Sequence, residues 1–213
     1  SQPYHSLSGA VAESRYVYFE RSGLADALEE DRDLTIFEVG FGTGMNLILL
    51  LDYIQKSGSG SGITFISVEA YPIDPETATT IDFGDAIGIS DCQTTLKSIF
   101  SNLNPGWNTI ETSEQVTLNL FIGTFEELEF ENPTSIDFVL HDPFSPESNP
   151  VGWTPDLFSK IASHAADSAM LTTYSAASSA RAAMAVAGWN IARAPGALGK
   201  REMTVASKNP EKL

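Results

Sequence analysis

Residues 34–46 read LTIFEVGFGTGMN, and this stretch decides the fold. The apolar run at 34–39 favours a β-strand, and it leads through a glycine-rich turn into the helix formers of 44–55. Glycines at positions 40, 42 and 44 carry no Cβ atom, so the backbone can approach a nucleotide-like ligand closely. Strand, turn and helix in this order predict the first unit of an open α/β sheet, with a ligand at the turn.

The spacing of the glycines indicates which ligand. A dinucleotide-binding fingerprint places its third glycine three residues after the second. That position holds Met45, and the third glycine comes early, at Gly44. An acidic residue, Glu38, also lies on the strand just before the turn. The pattern E-x-G-x-G-x-G resembles motif I of the S-adenosylmethionine-dependent methyltransferases, and this resemblance implies that Glu38 lies near the amino-acid end of the cofactor.

Composition limits the remaining possibilities. A chain of 213 residues predicts one α/β domain, and we find no run of ~18 apolar residues that would span a membrane. The single cysteine, Cys92, argues against a disulfide framework or a cysteine-based zinc site and suits a cytoplasmic protein; no metal is predicted. The net charge of −16 predicts repulsion of polyanions, so any nucleic-acid role requires a local basic patch.

The rest of the chain alternates strands and helices. Further strands are predicted at 63–68, 116–122, 136–140 and 169–174, with a closing antiparallel pair at 189–192 and 202–207. Helices are predicted at 75–86, 92–103, 125–128, 155–166 and 176–187, with Asp91 and Thr154 as N-caps. We therefore predict a Rossmann-like α/β class I methyltransferase fold, with a mostly parallel seven-stranded sheet, helices on both faces and an antiparallel last strand. Residues 1–20 lie outside this alternation and are expected to fold over the edge or mouth of the sheet.

In such sheets ligands bind beyond the carboxyl ends of the strands. The second strand ends at Glu69, followed by Ala70, and a carboxylate there can accept both hydroxyls of a ribose. The third ends at Gly123, followed by Thr124 and Phe125, at the corner where methyltransferases place an acid or amide against the adenine amino group. These ends predict the adenosine half of a cofactor site.

Asp142 follows the fourth strand and begins a proline-rich loop, 142–153. At this position a side chain would face the methyl group of the cofactor. A carboxylate can orient an amine nucleophile by a hydrogen bond and take up its proton. The alternative is a turn-forming aspartate before proline. Asp-Pro-Phe also resembles the Asp-Pro-Pro-Tyr element of amino-group methyltransferases, in which an aromatic face lies against a cationic centre.

A second resemblance covers nearly the whole chain. The letters DPFSP at 142–146, NP at 149–150 and the tryptophan at 153 are similar to the D-G-F-A-P…N-P…W run of the MnmC methyltransferase-domain family. ESRYVY at 13–18 is similar to its E-T-R-Y-V-F, and KREM at 200–203 matches its K-R-E-M. The family makes 5-methylaminomethyl-(2-thio)uridine at the tRNA wobble position. Two residues depart from its pattern, because Pro143 replaces a glycine and Thr124 replaces an acid.

The resemblance implies roles for individual residues. Asp142 would hold the aminomethyl nitrogen of the modified uridine and act as the catalytic residue. S-adenosyl-L-methionine would be bound by Glu38, Gly40, Gly42, Gly44, Met45, Asn46, Glu69, Ala70, Thr124, Phe125 and Phe144. The tRNA would be bound by Tyr4, Glu13, Arg15, Tyr16, Lys200 and Arg201, the last two on phosphates. The length leaves no room for the FAD-dependent half of the bifunctional version, so a stand-alone methyltransferase is expected.

Two other functions fit the same residues. An amino-group methyltransferase acting on a small molecule or a protein side chain would use Asp142 in the same way and would suit the acidic surface better. A cofactor-binding protein that has lost catalysis is suggested by Thr124 and by the altered proline loop. Turnover on tRNA that carries aminomethyluridine would separate these possibilities.

Overall fold

A computed structural model describes residues 5–213 apart from 59, 90 and 131–133. Its strands are β1 (Leu34–Val39), β2 (Ile63–Glu69), β3 (Gly106–Glu111), β4 (Val116–Ile122), β5 (Ile136–His141), β6 (Ala165–Thr173), β7 (Asn190–Ala194) and β8 (Met203–Ser207). They form one sheet in the order β3-β4-β2-β1-β5-β6-β8-β7. Strands β4, β2, β1, β5 and β6 are parallel, whereas β3 runs antiparallel to β4, and β8 runs antiparallel to both β6 and β7.

Helices cover both faces of this sheet. They are α1 (His5–Ser14), a π-helix (Arg15–Glu20), α2 (Leu24–Ala27), α3 (Met45–Ser57), α4 (Pro75–Ala78), α5 (Cys92–Ser101), α6 (Pro155–His164) and α7 (Ser178–Val186). Short 3₁₀ turns occur at Gly84–Ala86, Pro150–Trp153, Ala197–Gly199 and Pro210–Lys212. One buried apolar cluster joins the sheet to α1, α3 and α5, and a second joins it to α6 and α7. The central strand β1 is therefore buried almost throughout, as a parallel strand between two helical layers must be.

The order of the strands places the site. The chain leaves β1 towards β2 on one side and later returns to β5 on the other, so the strand order reverses between β1 and β5. The two strands end level, with Val39 beside His141. A crevice beyond such a reversal is where open α/β sheets bind ligands.

The predicted fold class is confirmed, but the sheet has eight strands instead of seven. The additional strand, β3, is a half-exposed edge strand, and its sequence GWNTIE lacks the apolar run that marked the others. The antiparallel pairing of β7 and β8 is as predicted. In the N-terminal segment the Tyr18 hydroxyl reaches Asp142 at the carboxyl end of the sheet, and the covering role of residues 1–20 stays a prediction.

Several predicted helices end earlier than expected. The helix predicted at 75–86 stops at Ala78, because two β-branched threonines follow and the Asp82 carboxylate accepts from the Gly84 N–H to form a turn. Residues 125–127 form a turn and not a helix. Thr154 caps α6 by accepting from Leu157 N–H, as predicted, whereas the Asp91 side chain makes no capping bond.

Candidate active site

The glycine turn and the proline loop meet directly. Asp142 N–H donates to the Val39 carbonyl at 3.1 Å, which extends the pairing of β1 with β5 by one residue. A Cβ atom on Gly40 would lie 3.1 Å from the Asp142 carbonyl oxygen, and Gly40 has a φ of 93°. Glycine is therefore required here, because the backbones of the two loops approach too closely for a side chain.

Asp142 is held by two hydrogen bonds from opposite sides. The buried Tyr18 hydroxyl donates to its Oδ1 at 2.6 Å, and Asn46 Nδ2 donates to its Oδ2 at 3.2 Å. Burial raises the pKa of the Asp142 carboxyl to about 6, although both hydrogen bonds oppose this shift. A carboxyl with a pKa near neutrality can accept a proton without being protonated permanently, which suits a general base.

A second carboxyl lies behind the first. Glu38 is buried; its Oε1 accepts from Asn46 Nδ2 at 2.8 Å and its Oε2 accepts from the Ser67 hydroxyl at 2.7 Å. Burial raises its pKa to about 8, and the charge of Asp142 contributes to the increase. One amide, that of Asn46, thus bridges two carboxyl groups whose pKa values differ.

Glu69 closes the other side of the crevice. Its Oε2 accepts from Gly42 N–H and its Oε1 from Tyr71 N–H, each at 2.8 Å. These bonds fix the carboxylate at the end of β2 while it stays exposed to solvent at the cavity wall. Each oxygen keeps a free lone pair, so Glu69 can accept the two hydroxyls of a ribose.

These loops enclose a cavity of about 780 Å³. Its lining contains most of the residues that were predicted to bind the cofactor: Gly40, Gly42, Met45, Asn46, Glu69, Ala70, Thr124, Phe125 and Phe144, together with Asp142. Gly42 has a φ of 54°, and a Cβ atom there would meet nothing within 4 Å. The glycine turn therefore leaves room above the backbone, as a bound nucleotide-like ligand needs.

Two predicted cofactor residues do not line the cavity. Glu38 lies behind Asn46 and acts on the cavity through that amide. Gly44 begins the turn into α3 with a φ of 77°, and a Cβ atom there would lie 2.7 Å from the Leu96 side chain and 3.1 Å from Phe41. Gly44 is thus required by helix packing.

The residues predicted to bind the substrate are divided between two places. Glu13 and Lys200 form an ion pair, and Lys200 Nζ lies 5.8 Å from the centre of the Tyr174 ring, which lines the Asp142 cavity. Arg15 and Tyr16 instead line a separate cavity of about 400 Å³. The side chain of Arg15 points to the Ala86 carbonyl and to Asp52, and the Tyr16 hydroxyl donates to the Pro195 carbonyl.

Two further predicted substrate residues remain. Arg201 is exposed next to Lys200, and Tyr4 lies outside the described residues. Substrate binding by these residues, and by those of the second cavity, stays a prediction.

The strand-end histidine is structural. His141 is fully buried, its Nε2 donates to the Gly152 carbonyl at 2.8 Å, and burial lowers its pKa to about 3. Its ring packs against Trp153, whose indole N–H donates to the Phe144 carbonyl at 2.8 Å. The neutral imidazole therefore shapes the proline loop and does not act as a base.

Sequence reasoning missed two tyrosines. Tyr18 lies in the quoted ESRYVY segment, but nothing local indicates that its hydroxyl reaches a residue 124 positions away. Tyr174 follows β6, and its hydroxyl donates to the Pro143 carbonyl at 2.8 Å. The strand-end rule that selected Asp142 would also have selected Tyr174, because β6 neighbours β5.

The cavity fits S-adenosylmethionine by the chemistry of its walls. Glu69 offers acceptors for ribose hydroxyls, and the exposed ring of Phe144 and the carboxyl of Asp142 offer a negative environment for a sulfonium cation. The buried Asn46 Oδ1 has no hydrogen-bond partner within the described chain, so it can accept a hydrogen bond from a ligand bound beside Asp142. Residues Gly40, Gly42, Met45 and Glu69 would hold the group.

Comparison with known proteins agrees with this geometry. A family model described as S-adenosyl-L-methionine-dependent methyltransferase matches residues 89–209. The tRNA 5-methylaminomethyl-2-thiouridine biosynthesis bifunctional protein MnmC of Ralstonia nicotianae is 32% identical over 209 residues, covering 96% of this chain and 31% of that protein. The protein of the same name from Cupriavidus necator is 30% identical over 210 residues, covering 98% and 32%. The chain therefore spans about a third of the length of these curated relatives.

A solved structure supports the same assignment. MnmC2 from Aquifex aeolicus superposes with a TM-score of 0.73 at 25% identity, covering 98% of this chain and 63% of that one. In the part of the chain that the structure describes, no helix is both long and apolar enough to cross a bilayer. The family model matches more than half of the chain, including the Asp142 loop. This chain belongs to the S-adenosyl-L-methionine-dependent methyltransferase family.

Proposed function

We propose that the chain is an N-methyltransferase that converts 5-aminomethyl-(2-thio)uridine to 5-methylaminomethyl-(2-thio)uridine at the tRNA wobble position. The observation that carries this proposal is the position of Asp142, a half-buried carboxyl opposite the glycine turn with a pKa raised to about 6. The printed names of the MnmC relatives support the choice of substrate.

The residues of this chain would act on the amine. S-adenosylmethionine, held along Gly40, Gly42 and Glu69, would supply an electrophilic methyl group on a positive sulfur, which would keep the C–S electron pair and depart as a neutral thioether once the amine lone pair bonds to that methyl group. Asp142 first accepts an N–H of the amine and so turns its lone pair towards the cavity. It then takes the proton that the newly alkylated nitrogen must lose. Tyr18 and Asn46 donate to the carboxylate and stabilise its ionised form, which is the form that takes the proton.

The rim of the cavity supports a nucleobase substrate. Phe144 and Tyr71 are 81% and 87% exposed, line the cavity, and follow β5 and β2, the strands on either side of β1. Large aromatic rings held in water are costly unless a ligand covers them, and unpaired RNA bases stack on such rings. Arg201 is exposed and follows Lys200 in the chain, and we expect it to contact a phosphate, since Lys200 is paired with Glu13.

The domain and location follow from the same proposal. We propose that residues 1–213 form one methyltransferase domain, with the segment 1–20 covering the active site. Its substrate would place it in the cytoplasm.

The deciding experiment is a methylation assay on tRNA from cells blocked at the aminomethyl stage. We expect methyl transfer to the wobble uridine, and we expect Asp142→Ala to lower the rate at least ~100-fold with cofactor affinity nearly unchanged. Asp137→Ala is the matched control, because Asp137 lies at the opposite end of the same strand and pairs with Arg32. Transfer to small amines but not to tRNA would favour the small-molecule alternative, and normal turnover by Asp142→Ala would refute the catalytic role.

A further inference from the structure

The Asn46 side chain has an acceptor that the fold does not use. Asn46 lies in the first turn of α3, is 2% exposed and lines the Asp142 cavity. Its Oδ1 is buried and has no hydrogen-bond partner within the described chain. A buried acceptor without a partner is destabilising, so an unused acceptor on a residue that lines a cavity points to a ligand that donates to it.

The neighbours of Asn46 fix the direction of its amide. Nδ2 lies 2.8 Å from Glu38 Oε1 and 3.2 Å from Asp142 Oδ2, and each contact uses one N–H. Rotating the amide by 180° would place its oxygen against the Asp142 carboxylate, which must be ionised to act as a base, and would lose the hydrogen bond to it. The free atom is therefore the oxygen, and it lies on the same amide that binds Asp142.

We propose that Asn46 Oδ1 accepts the second N–H of the substrate amine and so restricts the enzyme to primary amines. This inference rests on the proposed function. A neutral primary amine has two N–H donors and one lone pair. If Asp142 accepts from one N–H and Asn46 from the other, the lone pair is left to point at the methyl donor.

The same arrangement explains why transfer would stop after one methyl group. The product has one N–H, because the first transfer replaced a proton with a methyl group and Asp142 took up the proton that left. A second transfer would turn that methyl group towards Oδ1, leaving the acceptor buried and unpaired. Sites built to hydrogen-bond an N–H discriminate strongly against analogues that lack it.

The test measures first the binding of the two amines and then the product of a long incubation. We would titrate the protein, loaded with S-adenosylhomocysteine, with anticodon stem-loops that carry 5-aminomethyluridine or 5-methylaminomethyluridine, and with the two free nucleosides. We expect the primary amine to bind at least ~10-fold more tightly in both formats. In Asn46→Leu this ratio should fall to about one, and long incubation with S-adenosylmethionine should yield dimethylated product, detected by mass spectrometry.

A matched control separates the acceptor from its neighbours. Asn46→Leu also removes one hydrogen bond from Glu38 and one from Asp142. The double variant Ser67→Ala with Tyr18→Phe also removes one hydrogen bond from Glu38 and one from Asp142, but it keeps Asn46 Oδ1. We expect this control to retain the preference for the primary amine and to form no dimethylated product.

Each outcome decides the question. Equal binding of both amines by the unmutated protein would overturn the inference, even if Asn46→Leu failed to fold. Loss of S-adenosylhomocysteine affinity in Asn46→Leu, with the amine ratio kept, would assign Oδ1 to the cofactor and also overturn it. A preference seen with nucleosides but not with stem-loops would refute the tRNA substrate and leave the inference standing. Binding of none of the four amines would refute both.

Discussion

Replacing Tyr18 by phenylalanine should shift the pH dependence of catalysis without changing the rate at high pH. The Tyr18 hydroxyl donates to Asp142 Oδ1 at 2.6 Å, and it is one of the two hydrogen bonds that hold the pKa of this carboxyl below the value that burial alone would give. A hydrogen bond to a charged group contributes ~1.5–3 kcal/mol. One pKa unit corresponds to about 1.4 kcal/mol, so removing the bond should raise the pKa by roughly one unit or more.

The magnitude at each pH follows from the fraction of Asp142 that is ionised. With a pKa of about 6, half of the carboxyl is ionised at pH ~6. With a pKa of roughly 7, about one tenth is ionised there, so kcat/KM should fall ~5-fold at that pH, while at pH ~8 the two proteins should differ by about a tenth. The sign is fixed, because the lost bond favoured the charged form and its removal must move the inflection to higher pH.

The assay is the pH profile of kcat/KM under single-turnover conditions. Tyr53→Phe is the matched control, because it also removes one hydroxyl from a tyrosine near the N-terminal segment, where Tyr53 stacks on Phe19. Its profile should overlay that of the unmutated protein. An unchanged inflection in Tyr18→Phe, or a rate reduced equally at all pH values, would refute the reasoning, since either result would mean that the hydroxyl does not act on Asp142.

Three other perturbations test separate parts of the structure. Gly42→Val should abolish S-adenosylmethionine binding in calorimetry while circular dichroism stays unchanged, because a valine strained at φ 54° would project into the open cavity; unchanged affinity would contradict this. Glu38 should make the free energy of unfolding fall by ~1 kcal/mol per pH unit between pH ~6.5 and ~8, because its folded pKa of about 8 lies above the unfolded value of 4.5 and the folded state holds the extra proton. Glu38→Gln should remove this pH dependence in urea unfolding; parallel curves of unfolding free energy against pH for the two proteins would argue against it. Lys200→Ala with Arg201→Ala should lower the salt slope of tRNA binding by about one unit and not two, because Lys200 is already paired with Glu13; identical slopes would exclude phosphate contacts by this pair.

The backbone around the site could be predicted from sequence because its signals are local. Residues 34–46 contain the strand, the turn and the start of the helix within one window, and the strand-end rule then placed Glu69 and Asp142 beside them. The edge strand β3 was missed for the opposite reason. Half-exposed residues such as Asn108 and Thr109 carry little periodic signal, and their pairing with β4 depends on a neighbour that the local pattern does not specify.

The side-chain network could not be predicted, because it depends on atoms brought together over long separations. Tyr18, Asn46 and Asp142 meet only after the N-terminal segment has packed over the sheet. Glu38, the acidic residue of the glycine motif, accepts a hydrogen bond from Asn46 and does not line the cavity. The ion pair of Glu13 with Lys200 joins residues 187 positions apart. Counting Lys200 as free for a phosphate overlooked this pairing, which only the tertiary structure reveals.

Charge acts in opposite directions on the two parts of the proposed substrate, the amine and the tRNA phosphates. The carboxyls of Glu69 and Asp142 line the cavity, so its field attracts a sulfonium cation or an amine, whereas the net charge of −16 repels the phosphates of a tRNA. Contact with a polyanion costs least where the surface carries no charge. The exposed side chains of Tyr71, Phe144 and Val151 form an uncharged part of the cavity lining, and the exposed Glu126 is a charged part of it. Stacking of a base on the exposed rings of Tyr71 and Phe144 would contribute affinity that salt does not screen. The tRNA would then be held mainly by its bases, at the mouth of the cavity that attracts the amine.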